Sequence, residues 1–547
     1  MGKKFKTWHA RCSEKVNSFE QVSRIIKQQR TFIELDELEY DDDSLQNAFQ
    51  LVLDAINNNK KIALYGDYDV DGTMSCVSWI WFLRSIGYDR FTYYIPNRQT
   101  EGYGVHLKAL QALVEKEKVE LVITMDCGIT ANKEAQWCKE NGVDFLCTDH
   151  HEIQLQNMPD CTVLNPKLHP DPIYQQLCGC GITFVLLRKL GEYFQPPREL
   201  WVDLLAIAGM ATICDMVPLN SVNHRIARLG VKALRQSKRP ILKRLLEFCA
   251  IHETSLNEQD VGFRLGPRIN AVGRLDHGGK VVRAFIHDEV EPLIEYMDTC
   301  NEKRKKIQAH IVDEALAEIK AHKEDPIIFV GGDWHVGVVG IAAAKIVEEF
   351  WKPVWLYSKK GQIYRGSARS IPEFDVTASM GSVADYFVSY GGHKGAGGFS
   401  FAQDQEENIR NGLCTYANQI KKENSKIWNS FIYYDCEIDV TLLGMKLVEI
   451  LDDLRPFGFG FSEPKFLIRS KIDEVSYYTD KETGAKKHTV VFIKTDNNRK
   501  YKIMFFNSVY LELSKSKEAL FIVTVSKNYW QGRTLLSLLG ADFILPN

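Results

Sequence analysis

Lys61-Ile-Ala-Leu-Tyr-Gly-Asp-Tyr-Asp-Val-Asp-Gly72 is a short apolar strand that runs directly into a turn carrying three alternate carboxylates. An apolar helix, Ser75 to Ile86, follows at once. The alternation continues with a strand over Phe91–Ile95, a helix over His106–Glu117, a strand over Leu121–Met125, a helix over Lys133–Asn141 and a strand over Asp144–Cys147. Strand and helix exchanging at such short intervals predict right-handed crossovers and a parallel sheet covered on both faces. In such a sheet, residues at the C-terminal strand ends face the crevice where ligands bind.

Those strand ends carry the chemistry. The first delivers Asp67, Asp69 and Asp71, the second Asp126 within Asp126-Cys-Gly128, and the third Asp149, His150 and His151. An apolar helical run then ends at Asp215. Taken singly, such an Asp reads as a helix cap or a solvated turn, and a lone His as a structural residue. Three successive strands aimed at one sheet edge do not fit that reading. So many carboxylates at close quarters repel unless cations neutralise them. Hard oxygen donors mixed with imidazole suit Mn²⁺ or Mg²⁺. A calcium loop is disfavoured, because the distal Glu and flanking helices of an EF-hand are missing. The expected site holds two cations about 3.5–4 Å apart, the arrangement that activates a water and stabilises the leaving oxygen of a phosphoester.

Outward from this core, 547 residues predict three or four domains. Composition is that of a globular chain, 45% hydrophobic and 25% charged, with no run approaching the roughly 18 apolar residues of a membrane helix. The basic start, Met1 to Lys6, has no apolar stretch behind it, so neither a secretion signal nor, given the residues after Gly2, myristoylation is expected. Thirteen scattered cysteines, with Cys178 and Cys180 the closest pair, lack redox or zinc spacing and read as reduced thiols of a cytoplasmic protein. A net charge of −3 leaves nucleic-acid binding to local patches.

The expected organisation is α/β throughout. A helical extension occupies 1–55, with a helix start at Asp41-Asp-Asp43, and the catalytic domain 56–290. A long charged connecting helix spans 291–322 and a second α/β domain 323–428. The last domain, 429–547, has short alternating strands that suggest a small β-barrel.

The ordered set of motifs resembles the DHH phosphoesterase superfamily and, within it, the branch of bacterial single-strand exonucleases. The stretches that carry the resemblance are Gly66–Gly72, Glu101-Gly-Tyr-Gly104, Asp126-Cys-Gly128, Asp149-His-His151, Asp215, Gly266-Pro-Arg-Ile-Asn-Ala-Val-Gly-Arg274, Gly366-Ser-Ala-Arg-Ser370, Gly391-Gly-His393 and Pro456-Phe-Gly-Phe-Gly460. It spans roughly residues 45–547. It implies Asp69, Asp71, Asp126, His150 and Asp215 as ligands, with Asp126 bridging two ions and Asp67 supporting or ligating. Asp126, Asp149 and His151 then form the catalytic group, His151 meeting the scissile phosphate or the water. Some members have His where this chain has Tyr65, which bears on how the first metal position is filled.

The same resemblance makes 323–428 a DHH-associated domain and 429–547 an OB-like barrel. Arg268, Arg274, Ser367, Arg369, Gly391, Gly392 and His393 become phosphate or DNA contacts, across a cleft too narrow for duplex. For Arg268 and Arg274 the residues alone read more readily as a structural ion pair, and for the glycine run a plain tight turn is the alternative; Ala396-Gly397-Gly398 departs from the usual two alanines. In the barrel, Tyr477, Tyr478, Phe492, Phe505, Phe506, Tyr529 and Trp530 alternate with lysines, and one or two of them are expected to stack bases. The implied activity is 5′-to-3′ hydrolysis of single-stranded DNA to 5′-mononucleotides in repair and recombination. The implied protein is a monomer whose partners are a single-strand-binding protein and a helicase. The alternatives are a small-molecule or short-oligonucleotide DHH enzyme, against which the C-terminal barrel argues, and a catalytically silent DNA-binding scaffold, against which the retained Asp/His set argues.

Overall fold

A computed structural model describes residues 5–30, 38–287, 290–480, 483–495, 498–530 and 533–546. The chain forms two compact units. One comprises Ile33–Lys306 with Pro456–Phe461, the other Met1–Phe32, Ile307–Arg455 and Ser462–Asn547. Among the described residues no helix is long and apolar enough to cross a membrane.

The first unit is built on a parallel sheet of β1 (Ile62–Gly66), β2 (Phe91–Tyr94), β3 (Leu121–Met125), β4 (Asp144–Thr148) and β5 (Thr162–Leu164), in the order β2-β1-β3-β4-β5. Alternation along each strand sends side chains to two different cores. Ile62 and Leu64 enter a large cluster beneath the helices, whereas Ala63 and Tyr65 enter a smaller one on the opposite face. The order reverses between β1 and β3, and a sheet of this order binds ligands at that reversal.

The helix after β1, α1 (Val70–Ser85), starts five residues earlier than expected. Asp69 caps it, its side chain accepting from the backbone of Asp71 and Gly72. The acidic turn is therefore the first turn of a buried helix and not a free loop. Two buried helices, α2 (Gly179–Phe194) and α3 (Arg198–Cys214), pack on α1. Further along, α4 (Gly266–Leu275) carries the Gly-Pro-Arg-Ile-Asn motif. A 30-residue helix, Val290–Ile319, follows as expected.

The second unit holds a mixed sheet of β6 (Ile328–Gly332), β7 (Val354–Ser358), β8 (Ile363–Arg369), β9 (Phe387–His393) and β10 (Ala396–Ala402), in the order β9-β10-β8-β7-β6, with helix α5 (Val336–Phe350) following β6. It also holds a barrel of β11 (Lys465–Thr479), β12 (Lys486–Lys494), β13 (Lys500–Phe505), β14 (Glu518–Trp530) and β15 (Arg533–Ile544), closed by pairing of β11 with β12. Five strands closed in this way match the OB-like expectation.

The N-terminal extension is not purely helical. Thr7–Ala10 pairs with Phe431–Tyr434, and Lys15–Val16 with Glu437–Ile438. Helices Phe19–Gln29 and Asp43–Asn57 follow, the second capped by Asp42 within the acidic run. The two strands are too short to show a period-2 pattern, and their partners lie more than four hundred residues away in sequence.

Candidate metal centre

Asp67, Asp126 and Asp149 are each the first residue after a strand and stay tied to the sheet. Asp67 N donates to Met125 O, Asp126 N to Thr148 O, and Asp149 N to Leu164 O. The ladder thus runs one step past the strand ends and sets three carboxylates along one edge. The tight turn at Asp67–Gly72 requires glycine at its end, since a Cβ on Gly72 would lie 2.4 Å from Asp67 N. Asp126 adopts the left-handed region at φ 60°, which Asp tolerates better than most side chains. Asp215 arrives separately, as the C-cap of α3.

These residues converge. His150 Nε2 lies 3.1 Å from Asp126 Oδ1, 3.6 Å from Asp215 Oδ2 and 3.7 Å from Asp71 Oδ2. Three overlapping sets of donor atoms, each within 4.8 Å of one another, comprise Asp67, Asp69 and Asp126; Asp71, His150 and Asp215; and Asp126, His150 and His151. Asp126 and His150 each belong to two sets. All six expected ligands therefore stand together, along with His151.

Burial, reinforced by neighbouring carboxylates, drives Asp67, Asp126 and Asp215 well above the ordinary carboxyl range, and Asp71 up to about 6. Burial also pushes His150 down to about 3, with the His151 charge adding to it, so its imidazole is neutral. Asp126 Oδ1, Asp67 Oδ1 and His150 Nε2 are buried and lack a hydrogen-bond partner. His150 Nε2 and Asp126 Oδ1 stand 3.1 Å apart, buried and with no hydrogen bond made by either atom, an arrangement that a shared divalent cation would satisfy.

His151 differs from its neighbour. Burial alone would lower its pKa, but its Nδ1 sits 2.8 Å from Asp149 Oδ1, and that bond raises it. Asp149 is fully buried and also accepts from the backbone of Ile129, His150 and His151. Burial opposes its ionisation, yet the bond and charge of His151 hold it below the ordinary range. Asp149 thus fixes His151 Nδ1 and leaves Nε2 as the nitrogen free to serve chemistry.

Two residues without an assigned role join the site. The Tyr103 hydroxyl donates to Asp126 O at 3.2 Å and lies 3.0 Å from His151 Nδ1. Arg98 stacks over the Tyr68 ring at 4.8 Å and acts favourably on the Asp67 charge. The loop bearing Tyr103 is clamped from below. Tyr65 donates to Gly104 O and accepts from His106 N, both at 3.3 Å, while Tyr94 donates to Glu101 at 2.6 Å. Tyr65 is therefore a buried buttress of this loop. Tyr103 lay inside a quoted motif, but only its position across the sheet edge reveals what it touches.

The α4 motif supports the acidic turn: Asn270 accepts from Val70 N at 3.0 Å, and a Cβ on Gly273 would meet Tyr68 O at 2.3 Å. Arg268 forms an ion pair with Asp298 at 2.9 Å and donates to Arg264 O. Arg274, at the end of α4, is half-buried beside Tyr68.

In the second unit the glycine run is a hairpin rather than a simple turn. Pairing sets Arg369 opposite Ala396 and Ala396 opposite His393, so Arg369 and His393 share a face on either side of one alanine. One row along, Ser367, Gly398 and Gly391 align on the same face. Neither glycine has any atom within 4 Å of where a Cβ would stand. The result is a bare floor walled by Ser367, Arg369 and His393, with Arg369 donating to Ser367 Oγ at 2.8 Å. Gly392 faces the other way, opposite Gly397, which packs on Met380.

In the barrel, Phe505 is core, Tyr477 is half-buried beneath Lys486, and Tyr478 and Phe506 are exposed. Lys502 lies over the Tyr478 ring. Phe492 is half-buried, and the side chains of Tyr529 and Trp530 lie outside the described residues.

Residues 61–209 match the DHH family, N-terminal domain; residues 324–422 match the DHHA1 domain and residues 434–542 the RecJ OB domain. The chain is 31% identical over 512 residues to the single-stranded-DNA-specific exonuclease RecJ of Bacillus subtilis (strain 168), an alignment that takes in 91% of this chain and 63% of that relative's length. In fold it is similar to RecJ from Thermus thermophilus in complex with Mn²⁺, with a TM-score of 0.81 at 24% identity over 96% of this chain and 76% of that one. It is also similar to a crystal structure of exonuclease RecJ bound to manganese, with a TM-score of 0.61 at 29% identity over 70% of this chain and 97% of that one.

Proposed function

The chain belongs to the DHH family, in its RecJ-type branch, and from that premise we propose that it is a metal-dependent exonuclease removing 5′-mononucleotides from single-stranded DNA. The observation that carries this reading is the partnerless pair of Asp126 Oδ1 and His150 Nε2 among surrounding carboxylates. Mn²⁺ or Mg²⁺ supplies phosphoryl polarisation, an acidified water and neutralisation of the leaving oxygen.

Asp71, Asp126, Asp215 and His150 would hold one cation, and Asp67, Asp69 and Asp126 a second. Asp149 holds the proton of His151 at Nδ1, so Nε2 meets the scissile phosphate or the attacking water. Tyr103 limits rotation of the same imidazole. The 5′ phosphate lies on the glycine floor of β9 and β10, where Arg369 forks onto its oxygens and Ser367 and His393 complete the shell. Tyr478 and Phe506 stack bases of the bound strand. The setting is cytoplasmic DNA repair and recombination, with the chain acting as a monomer alongside a single-strand-binding protein and a helicase.

End-labelled digestion in Mn²⁺ or Mg²⁺ tests this. The expected result is release of a 5′ label as mononucleotide, abolished in Asp126→Ala and far faster on a long oligonucleotide than on a dinucleotide. Progressive loss from the 3′ end, or equal activity on the dinucleotide, would refute the reading.

A further inference from the structure

Helix α2 begins against the metal centre. Its first residues send two backbone N–H groups into one carboxylate: Gly179 N donates to Asp71 Oδ2 at 2.5 Å and Cys180 N to Asp71 Oδ1 at 2.8 Å. The helix has sixteen residues, so its N-terminal end adds partial positive charge at that point. The Asp71 side chain has no exposure to solvent. Asp67 Oδ1, Asp126 Oδ1 and His150 Nε2 have no partner and Asp69 is held through Oδ1 alone, whereas both oxygens of Asp71 accept from the backbone.

Cys178 locks this arrangement. Its Sγ caps α2, accepting from Gly181 N at 3.3 Å, and lies 3.6 Å from Thr212 Oγ1. Thr212 gives its own proton to Ala208 O at 2.7 Å, so the thiol proton is available to Thr212. Thr212 stands on α3, three residues before Asp215. One buried thiol therefore joins the start of α2, whose next two backbone N–H groups hold Asp71, to the helix that delivers Asp215. Between them, Gly179 has no room for a side chain. A Cβ there would lie 2.8 Å from Asp126 Cβ, 2.9 Å from Asp71 Oδ2 and 3.1 Å from Asp126 Cα.

We propose that Cys178-Gly179-Cys180 is the positioning element of the metal centre, fixing Asp71 before any cation arrives and allowing Asp71 and Asp126 to approach each other across a bare glycine. The proposal rests on the metal reading given above. It separates Asp71, with both oxygens held, and Asp69, held at one oxygen as the cap of α1, from Asp67, Asp126 and His150, each with an unpartnered donor atom left for the ion. It also assigns Cys178 a role that serine can fill and alanine cannot, because the role needs a hydrogen-bonding atom and not an apolar one.

The test is Mn²⁺ titration of the full chain followed by electron paramagnetic resonance of free Mn²⁺, with circular dichroism as the check of folding. Gly179→Ala and Cys178→Ala are each expected to weaken Mn²⁺ binding by about 10–100-fold, the usual effect of losing support behind a ligand. Cys178→Ser should recover most of that loss. Parent-like affinity in Cys178→Ala, or a serine variant no better than alanine, overturns the proposal. If Gly179→Ala does not fold, the Cys178 pair decides alone. A parent chain that binds no Mn²⁺ overturns the metal reading itself, an outcome distinct from failure confined to the variants.

Discussion

Oδ1 of Asp149 lies 2.8 Å from Nδ1 of His151, and every other polar contact of that carboxylate is to backbone N–H groups. Those contacts fit an orienting role rather than ligation. Asp149→Asn should lower turnover about 100-fold by loosening the imidazole tautomer, while Mn²⁺ binding stays close to the parent value. Single-turnover digestion alongside a Mn²⁺ titration separates the two quantities. Loss of metal binding in step with activity would show Asp149 to be a ligand instead.

Tyr103 lies on the loop whose backbone Tyr65 holds. Removing the Tyr103 hydroxyl as Tyr103→Phe should slow cleavage about fivefold, the effect of one net hydrogen bond of roughly 1 kcal/mol. Tyr65→Phe should slow it less, because its two bonds reach the backbone of the loop and not the imidazole. Since both changes relax the same segment, the double variant should lose less than the product of the single effects. Strict multiplicativity in a double-mutant cycle would disconnect Tyr65 from the site.

The raised carboxyls set the sign of a pH effect. Asp71 is pushed from the ordinary 3.8 up to about 6, chiefly by burial and then by Asp69, and Asp126 moves further for the same kind of reason. A carboxyl with a higher pKa folded than unfolded binds more protons in the folded chain between the two values, so stability falls as pH rises through that window. With cations chelated, the melting temperature is expected to fall on going from mildly acidic to neutral pH, and saturating Mn²⁺ should restore it at neutral pH. Scanning fluorimetry in chelator across this range is the measurement. A melting temperature that climbs steadily with pH, unaffected by Asp126→Asn, would mean the carboxylates are not the destabilising charge.

Arg369→Ala should raise the KM for strands bearing a 5′ phosphate by about 10–100-fold, as expected for a lost charge-assisted contact of roughly 1.5–3 kcal/mol. Strands ending in a 5′ hydroxyl should be nearly indifferent to the change. Steady-state kinetics on the two substrates decides it: an equal loss on both would make Arg369 a general backbone contact.

What was legible in the sequence was whatever depends on neighbours along the chain. The strand-then-acid pattern located Asp67, Asp126 and Asp149 at strand ends, because apolar strands and polar turns differ in composition. The convergence of His150 with Asp71 followed from the parallel order those strands imply, whereas Asp215 arrives on a helix that no strand order places. Contacts between distant segments were not legible. The Thr7–Ala10 strand exists only through Phe431–Tyr434, and Cys178 gains its meaning only beside Asp71 and Thr212. The start of α1 at Val70 was hidden because the acidic residues that cap a helix are also those expected in a turn. Arg268 illustrates the converse: a basic residue in a family motif whose local partner, Asp298, lies 30 positions away.

Asp126 holds a left-handed backbone, and this narrows which replacements the position can accept without disturbing the sheet edge. Asn and Gly enter that conformation readily, whereas most other residues meet a penalty of roughly 1–2 kcal/mol. A descendant of this chain released from its catalytic duty should therefore drift at this position toward Asn or Gly and not toward Ala or Ser. A loop of otherwise intact sequence with one of those two residues would mark a copy retired from chemistry but still required to fold.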